Sequence, residues 1–466
     1  MIFRRDAALP WADEGRLGRR IDPQDLAGEA RPRVNPHPQA GAGRDGRRVL
    51  RARARCVVRR HRGPALRIYE RKTAHDAVTC RVDPDKLELR LIEQCPAPDV
   101  LDRLALPIVT AMPLDLPIVP GGVEPPLPSA GPYYAKEYQP GRVARLARNP
   151  YWNAATLRSR AANVDEIEYR GRIPDEAAAA VSRGEADVAT FAAADQLGPD
   201  LVRDLMHRYG VNRGRFFVRP RLNRVSVVFN VRRPLFRNNP KLRRAVNFAL
   251  DRAQLVAAHG PLEGRPTDQL LLPGRPGFRN WKLYPYKADI GAARRLARGV
   301  VRRRDVSLYV PTTPWGTTVA AVVRSDLPPL GLRVHVKTVA TALFANVLNL
   351  ERTPWDLAVV AWNPARDDPV AFINFALDGR HIGRPFPGFN LGRFNEPKWN
   401  ARMRRVARTE QGRDAAFARL DRDLMRIAAP LAPYLVENAL TIVSPRVGCL
   451  SWLTNAWPNL AGLCVK

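Results

Sequence analysis

The sequence predicts an α/β protein built on mixed sheets, and three features lead there. Strands and helices alternate from about residue 165 to the end. Across residues 332–339, Leu332, Val334 and Val336 take one face while Arg333, His335 and Lys337 take the other, which is the pattern of a half-buried strand. Asn238 and Asn239 offer a helix cap, Pro240 suits the first helical position, and Leu242, Ala245, Val246, Ala249 and Leu250 follow at helical spacing.

The elements are justified in turn. Residues 1–74 are dominated by Arg, Ala, Gly and Pro and show no sustained period of 2 or 3.6. Such a stretch buries too little apolar surface to offset its chain entropy, so it reads as disordered or as a translation artefact. Leu87, Leu89 and Leu91 then alternate with polar residues, a strand in a remnant of a small domain at 75–128. A Pro-rich link at 119–128 precedes a strand at 165–169 and an Ala-rich helix at 174–183 closed by Gly184. A strand at 187–191, a helix at 197–209 ended by Gly210, and a strongly apolar strand at 224–231 follow. Beyond the capped helix come a helix at 289–298, a strand at 306–310, a helix around 317–323 and a buried strand at 355–362. One long Arg-rich helix is expected over 397–428, and Arg243 and Arg244 are expected on a solvated helix face.

Charge excludes less than it first suggests. With 76 basic and 45 acidic residues the chain carries +31, but the arginines are spread along its whole length beside abundant Ala, Gly and Pro, as GC-rich coding produces. A nucleic-acid binder concentrates its charge in a patch or tail, so that role is disfavoured. No stretch approaches the ~18 apolar residues of a membrane span. Arg4 and Arg5 are followed by Asp6, Asp13 and Glu14 rather than an apolar run, so no export signal or anchoring cysteine is visible. Cys56, Cys80, Cys95, Cys449 and Cys464 form no Cys-x-x-Cys pair, and with His61 and His75 they complete no zinc pattern. Cys80 with Cys95, and Cys449 with Cys464, each bracket a segment that one disulfide can close; separate buried thiols fit equally well. No Gly-x-Ser-x-Gly, phosphate-cradling Gly-rich loop or His-Glu-x-x-His is present, so no catalytic residue, metal or cofactor is expected.

Several segments recur in a telling order: Ser129-Ala130-Gly131-Pro132-Tyr133-Tyr134, Arg148-Asn149-Pro150-Tyr151-Trp152, Asp165-Glu166-Ile167 and Gly184-Glu185-Ala186-Asp187. Phe229-Asn230, the helix with Arg243, Arg244, Ala245 and Asn247, Tyr284-Pro285-Tyr286 and Ala292-Ala293 come next. Trp355-Asp356-Leu357, Trp362, Asp368-Pro369, Asn390 and Ala429-Pro430 complete the series. Together they resemble family 5 of the extracytoplasmic solute-binding proteins, the peptide-binding class that serves ABC importers. Ala130 replaces that family's usual Thr, and Asn363 and Arg366 stand where acidic or aromatic residues are common. The family's signal peptide and most of its first and small second domains are not recognisable here.

The resemblance implies a bilobed periplasmic-binding-protein-like fold of the class II type, with an incomplete or disordered N-terminal region. One lobe is expected over 129–230, a distal lobe over 231–440 and a return to the first over 441–466, with the first crossing at Phe229-Asn230. It implies a monomer without chemistry of its own, at the cell surface or in the periplasm, that delivers a peptide or similar small solute to the permease subunits of an importer. The alternatives are a truncated or mis-translated member that binds nothing, and a basic nucleic-acid-binding protein. A peptide site needs acidic and basic groups, strand edges and aromatic walls. The candidate ligand residues are Trp362, Asn363, Asp367, Asp368, Tyr134 and Asn230. Trp362 suits cleft lining and core packing equally, Asp368 before Pro369 suits a helix cap better than a ligand contact, and Asn230 either fixes a hinge or ends a strand.

Overall fold

A computed structural model describes residues 129–466 apart from 130, 153–161, 193–195 and 384–387, together with the backbone of short strands between residues 2 and 123. The chain divides into two compact units: Met1–Ala189 with Val443–Ser451 and Pro458–Lys466, and Thr190–Ile442 with Trp452–Trp457.

In the first unit β1 (Tyr133–Gln139), β2 (Val143–Arg148) and β3 (Glu166–Arg170) form an antiparallel sheet, with Ile2–Arg4 paired to the outer edge of β3. Two of the recurring segments meet here. Asn149 donates through Nδ2 to Ser129 O at 2.8 Å and Gly131 O at 2.9 Å, and Tyr133 Oη donates to Val164 O at 3.0 Å. These landmark residues therefore tie loops to strand ends, satisfying backbone groups that would otherwise be unpaired. α1 (Pro174–Ser182) ends before Gly184, whose φ of +80° suits glycine. Near the C-terminus, Val447–Gly448 pairs with Cys464–Val465, and a disulfide joins Cys449 to Cys464. Of the two candidate cysteine pairs, this one is therefore bridged.

Ala54–Arg60 and Gly63–Glu70 pair antiparallel inside the stretch whose composition predicts no element, and Glu88–Glu93 contains the expected leucine alternation. Cys95, and with it the pairing with Cys80, lies outside the described residues.

β4 (Val188–Phe191) leads from the first unit into the second, where α2 (Pro199–Tyr209), β5 (Phe216–Phe229), α3 (Pro240–Ala249), α4 (Arg252–Ala257) and β6 (Gly264–Pro266) follow. Next come α5 (Ile290–Ala297), β7 (Asp305–Pro311), α6 (Pro314–Asp326), β8 (Arg333–Val339), α7 (Phe344–Asn349) and β9 (Leu357–Trp362). α8 (Pro369–Phe372), α9 (Asn374–Leu377), α10 (Pro397–Ala407), α11 (Arg413–Asp423) and β10 (Leu431–Val443) complete it. The sheet order is β4-β10-β5-β9-β7-β8, with β6 also on β10. β5 runs antiparallel to β9 and β10, whereas β7 runs parallel to β8 and β9, so the sheet is mixed as predicted.

Alternation along β5 divides the core. Val225, Val227 and Phe229 pack with Ala245, Val246 and Leu308 in one apolar cluster, while Leu222 and Val228 pack with Phe372, Trp399 and Phe417 in the other. The sheet is thus covered on both faces, as parallel strands require. Gly264 is constrained by β10: its φ is +155°, and a Cβ there would sit 2.0 Å from Val436 O.

The division between the units falls at Ala189/Thr190, and β5 is an interior strand of the large sheet. Three expectations need correction. The strand expected at 224–231 begins at Phe216, with a register shift between Pro220 and Arg224 that accommodates the missing proline N–H. The helix expected over 397–428 is interrupted at Gly412, which adopts φ +65°, and finishes in a π turn at Leu424–Ala428. Arg243 is 2% exposed rather than solvated, because α3 packs against that turn.

Candidate functional site

The face of β5 that carries Arg224, Ser226 and Val228 alternates away from Val225 and Val227, and Arg224 lies opposite Trp362 of β9 in the sheet register. A cavity of about 30 Å³ opens there, lined among others by Arg224, Val228, Trp362, Leu377, Phe389 and Leu431. Trp362 is half-buried; its Nε1 donates to Ala371 O at 3.0 Å, and its ring meets Phe389 edge-on at 5.7 Å between centroids. Phe389, 39% exposed, is the lining residue nearest solvent.

Arg224 is 1% exposed. Its Nε donates to Ser226 Oγ at 3.2 Å and its Nη1 to Leu270 O. Burial lowers its pKa to about 10, partly countered by Asp421, so the guanidinium keeps its proton at neutral pH. Asp421 is itself occupied, accepting from Leu270 N at 3.0 Å and Leu271 N at 3.1 Å.

Just past Trp362, Asn363 is exposed; its amide donates to Leu222 O at 3.0 Å and accepts from Arg221 Nη2 at 3.1 Å. Arg221 also pairs with Glu437 at 3.2 Å, and Glu437 accepts from Asn223 Nδ2 at 2.5 Å. Asp367 pairs with Arg275 at 3.1 Å. Acidic, basic and aromatic groups thus gather on the second unit around the end of β9.

The other candidates have structural partners. Asp368 is 3% exposed; one oxygen caps α8 through Val370 N at 2.8 Å and the other pairs with Arg413 at 2.8 Å. Asn230 is buried, donating to Trp355 O at 3.0 Å and accepting from Arg232 N at 3.2 Å, so it ends β5 inside one unit. Tyr134 is half-buried on β1 of the first unit, where burial and then Glu166 raise its pKa. Sequence reasoning missed Arg224 and Phe389. Arg224 was visible as a charge in an otherwise apolar strand, whereas Phe389 sits in a loop without a pattern.

Among the described residues no group of three or more His, Cys, Asp or Glu is placed to hold a metal ion. No described helix is long and apolar enough to cross a membrane.

A family model for bacterial extracellular solute-binding proteins, family 5 middle, matches residues 55–384. Among curated protein sequences none matches the chain. Of solved structures, the clavulanic acid biosynthesis oligopeptide binding protein 2 is similar at a TM-score of 0.74 and 23% identity, over 82% of this chain and 71% of the other. The dipeptide binding protein from Pseudoalteromonas sp. SM9913, in complex with Met-Leu, superposes at 0.63 with 19% identity, over 83% and 75% of the two chains. AgaA from A. tumefacien R10, in complex with agropinic acid, gives a TM-score of 0.63 at 16% identity, over 83% and 77%. At these identities the likeness shows a shared fold.

Proposed function

The chain belongs to the bacterial extracellular solute-binding proteins of family 5, and on that footing we propose that it captures peptides or similar small organic solutes for the permease of an ABC importer. The match over residues 55–384 carries this reading, since it spans β5, β9 and the loop beyond Trp362. Trp362, Asn363 and Asp367 are the proposed solute contacts: an aromatic wall, an exposed amide and a carboxylate near one strand end. Asp368 and Asn230 would hold the loops that present them. The protein acts as a monomer that binds and releases without altering the solute, in the periplasm or at the cell surface. The Cys449–Cys464 bond suits an oxidising compartment of that kind. Solved relatives hold Met-Leu in one case and agropinic acid in another, which supports a small polar organic ligand without choosing its class.

Thermal unfolding of the purified chain, with and without pooled di- to pentapeptides, tests this directly. A ligand at about 100 times its dissociation constant adds roughly 2.7 kcal/mol, so a binding pool raises the midpoint. A cooperative transition that no pool moves would remove peptides as the solute. Absence of any cooperative transition would favour the reading of a truncated, non-binding member.

A further inference from the structure

We propose that Arg224 makes the cavity beside Trp362 a subsite for a carboxylate carried by the captured solute, an inference that rests on the solute-binding reading above. Among the described residues no carboxylate lies within ion-pair distance of the Arg224 guanidinium, although the side chain is 1% exposed. Ser226 and Leu270 occupy Nε and Nη1, and no described residue accepts from Nη2. A guanidinium at this depth is costly unless an anion or further acceptors compensate it. Its planar fork matches an oxyanion such as a carboxylate or a phosphate through paired N–H···O bonds.

Size and polarity narrow the ligand further. A cavity of about 30 Å³ holds roughly two waters, the scale of a carboxylate head rather than a whole side chain or a phosphate. Val228, Leu377 and Leu431 offer no competing donor, and such walls lower the local dielectric and strengthen an ion pair. Phe389 is 39% exposed beside buried Arg224, so entry from solvent passes the aromatic pair Trp362 and Phe389. The solute favoured here is therefore acidic at one end, or a peptide whose terminal or side-chain carboxylate reaches this strand.

The test compares sodium acetate with acetamide in thermal unfolding of the full chain and of its Arg224→Gln variant. The same peptides are then compared as free acids and as C-terminal amides. Acetate should raise the wild-type midpoint and acetamide should not, and Arg224→Gln should weaken the acetate response by about tenfold or more. If Arg224→Gln does not unfold cooperatively, Arg224→Met replaces it, an apolar side chain of similar length. Amidation of a bound peptide or of its acidic side chain should weaken binding by about tenfold. An acetate response that survives both variants overturns the subsite, and so does equal binding of acids and amides. Failure of the solute-binding reading looks different: no peptide in either form moves the midpoint, while the acetate contrast still reports on Arg224.

Discussion

Arg243 donates through Nε to the carbonyl of Ala428 at 2.8 Å, joining two residues separated by 185 positions. That carbonyl closes the π turn after α11, where the chain reverses through Ala429 at φ +43°. Helix ends leave carbonyls without intrahelical partners, and here a guanidinium supplies one. A second bond from Arg243 Nη1 to Phe236 O at 2.7 Å fixes the loop before α3. Arg243→Met should lower stability by about 2–4 kcal/mol, because it strands two buried carbonyls. Chemical denaturation should show a lower midpoint at an unchanged slope; an unchanged midpoint would mean that water replaces the guanidinium.

The two tryptophans of the β9 region should separate cleanly. Trp355 is fully buried and donates to Leu348 O at 3.0 Å, so Trp355→Ala should cost about 3–5 kcal/mol of stability. Trp362→Ala should cost less stability but weaken solute binding by about tenfold, as loss of an aromatic anchor does. Equal losses of stability with unaltered binding would assign both rings to the core.

His259 stacks on Trp315 at 4.6 Å, and its Nε2 lies 2.8 Å from Tyr434 Oη. Burial lowers its pKa to about 3, against 6.5 for the free side chain. The unfolded chain therefore binds the proton more readily, so the stabilising contribution is complete above pH 6.5 and disappears as pH falls toward 3. Up to about 4 kcal/mol should be lost across that window, and His259→Gln should flatten this part of the profile. Asp421 works in the opposite sense. Burial pushes its pKa up to about 6, so its contribution is complete below pH 3.8 and declines as pH rises through 6. A wild-type profile that His259→Gln leaves unchanged would show that His259 takes up its proton at the same pH in the folded and unfolded chain.

Reduction should weaken the C-terminal hairpin. The Cys449–Cys464 bond spans a sequence separation of 15, and a loop of that size gains about 3 kcal/mol from closure. Adding reductant, or replacing both cysteines by serine, should lower the unfolding midpoint. Mass mapping of the untreated protein should recover the two cysteines in one cross-linked peptide.

Local chemistry was the legible part of the sequence. Asn239 accepts from Leu242 N at 3.2 Å, as its position before Pro240 predicts, and the alternation of Val334 with Arg333 and His335 reappears as β8. The cap made by Asp368 was readable from the proline that follows it. What the sequence hides is distance. A basic residue at one helical position reads as solvated until Ala428 arrives from far along the chain to meet it, as happens at Arg243. Arg224 becomes part of a cavity only because Trp362 is its neighbour in the sheet, 138 residues later in number. The place of β10 between β4 and β5 is hidden for the same reason: strand order in a mixed sheet is not chain order.

The position of β10 bears on how the protein is made. This strand lies between β4 and β5 in the sheet, yet the ribosome delivers it after every other strand of that sheet. Until it emerges, β5 presents an open edge and the arginines of α3 and α4 wait for carbonyls not yet synthesised, Ala428 for Arg243 and Pro433 for Arg252. The nascent chain is therefore exposed to mispairing for most of its synthesis, and completion depends on the last part of the message. A premature stop anywhere before Leu431 would leave the large sheet with a missing interior strand, not a shortened one.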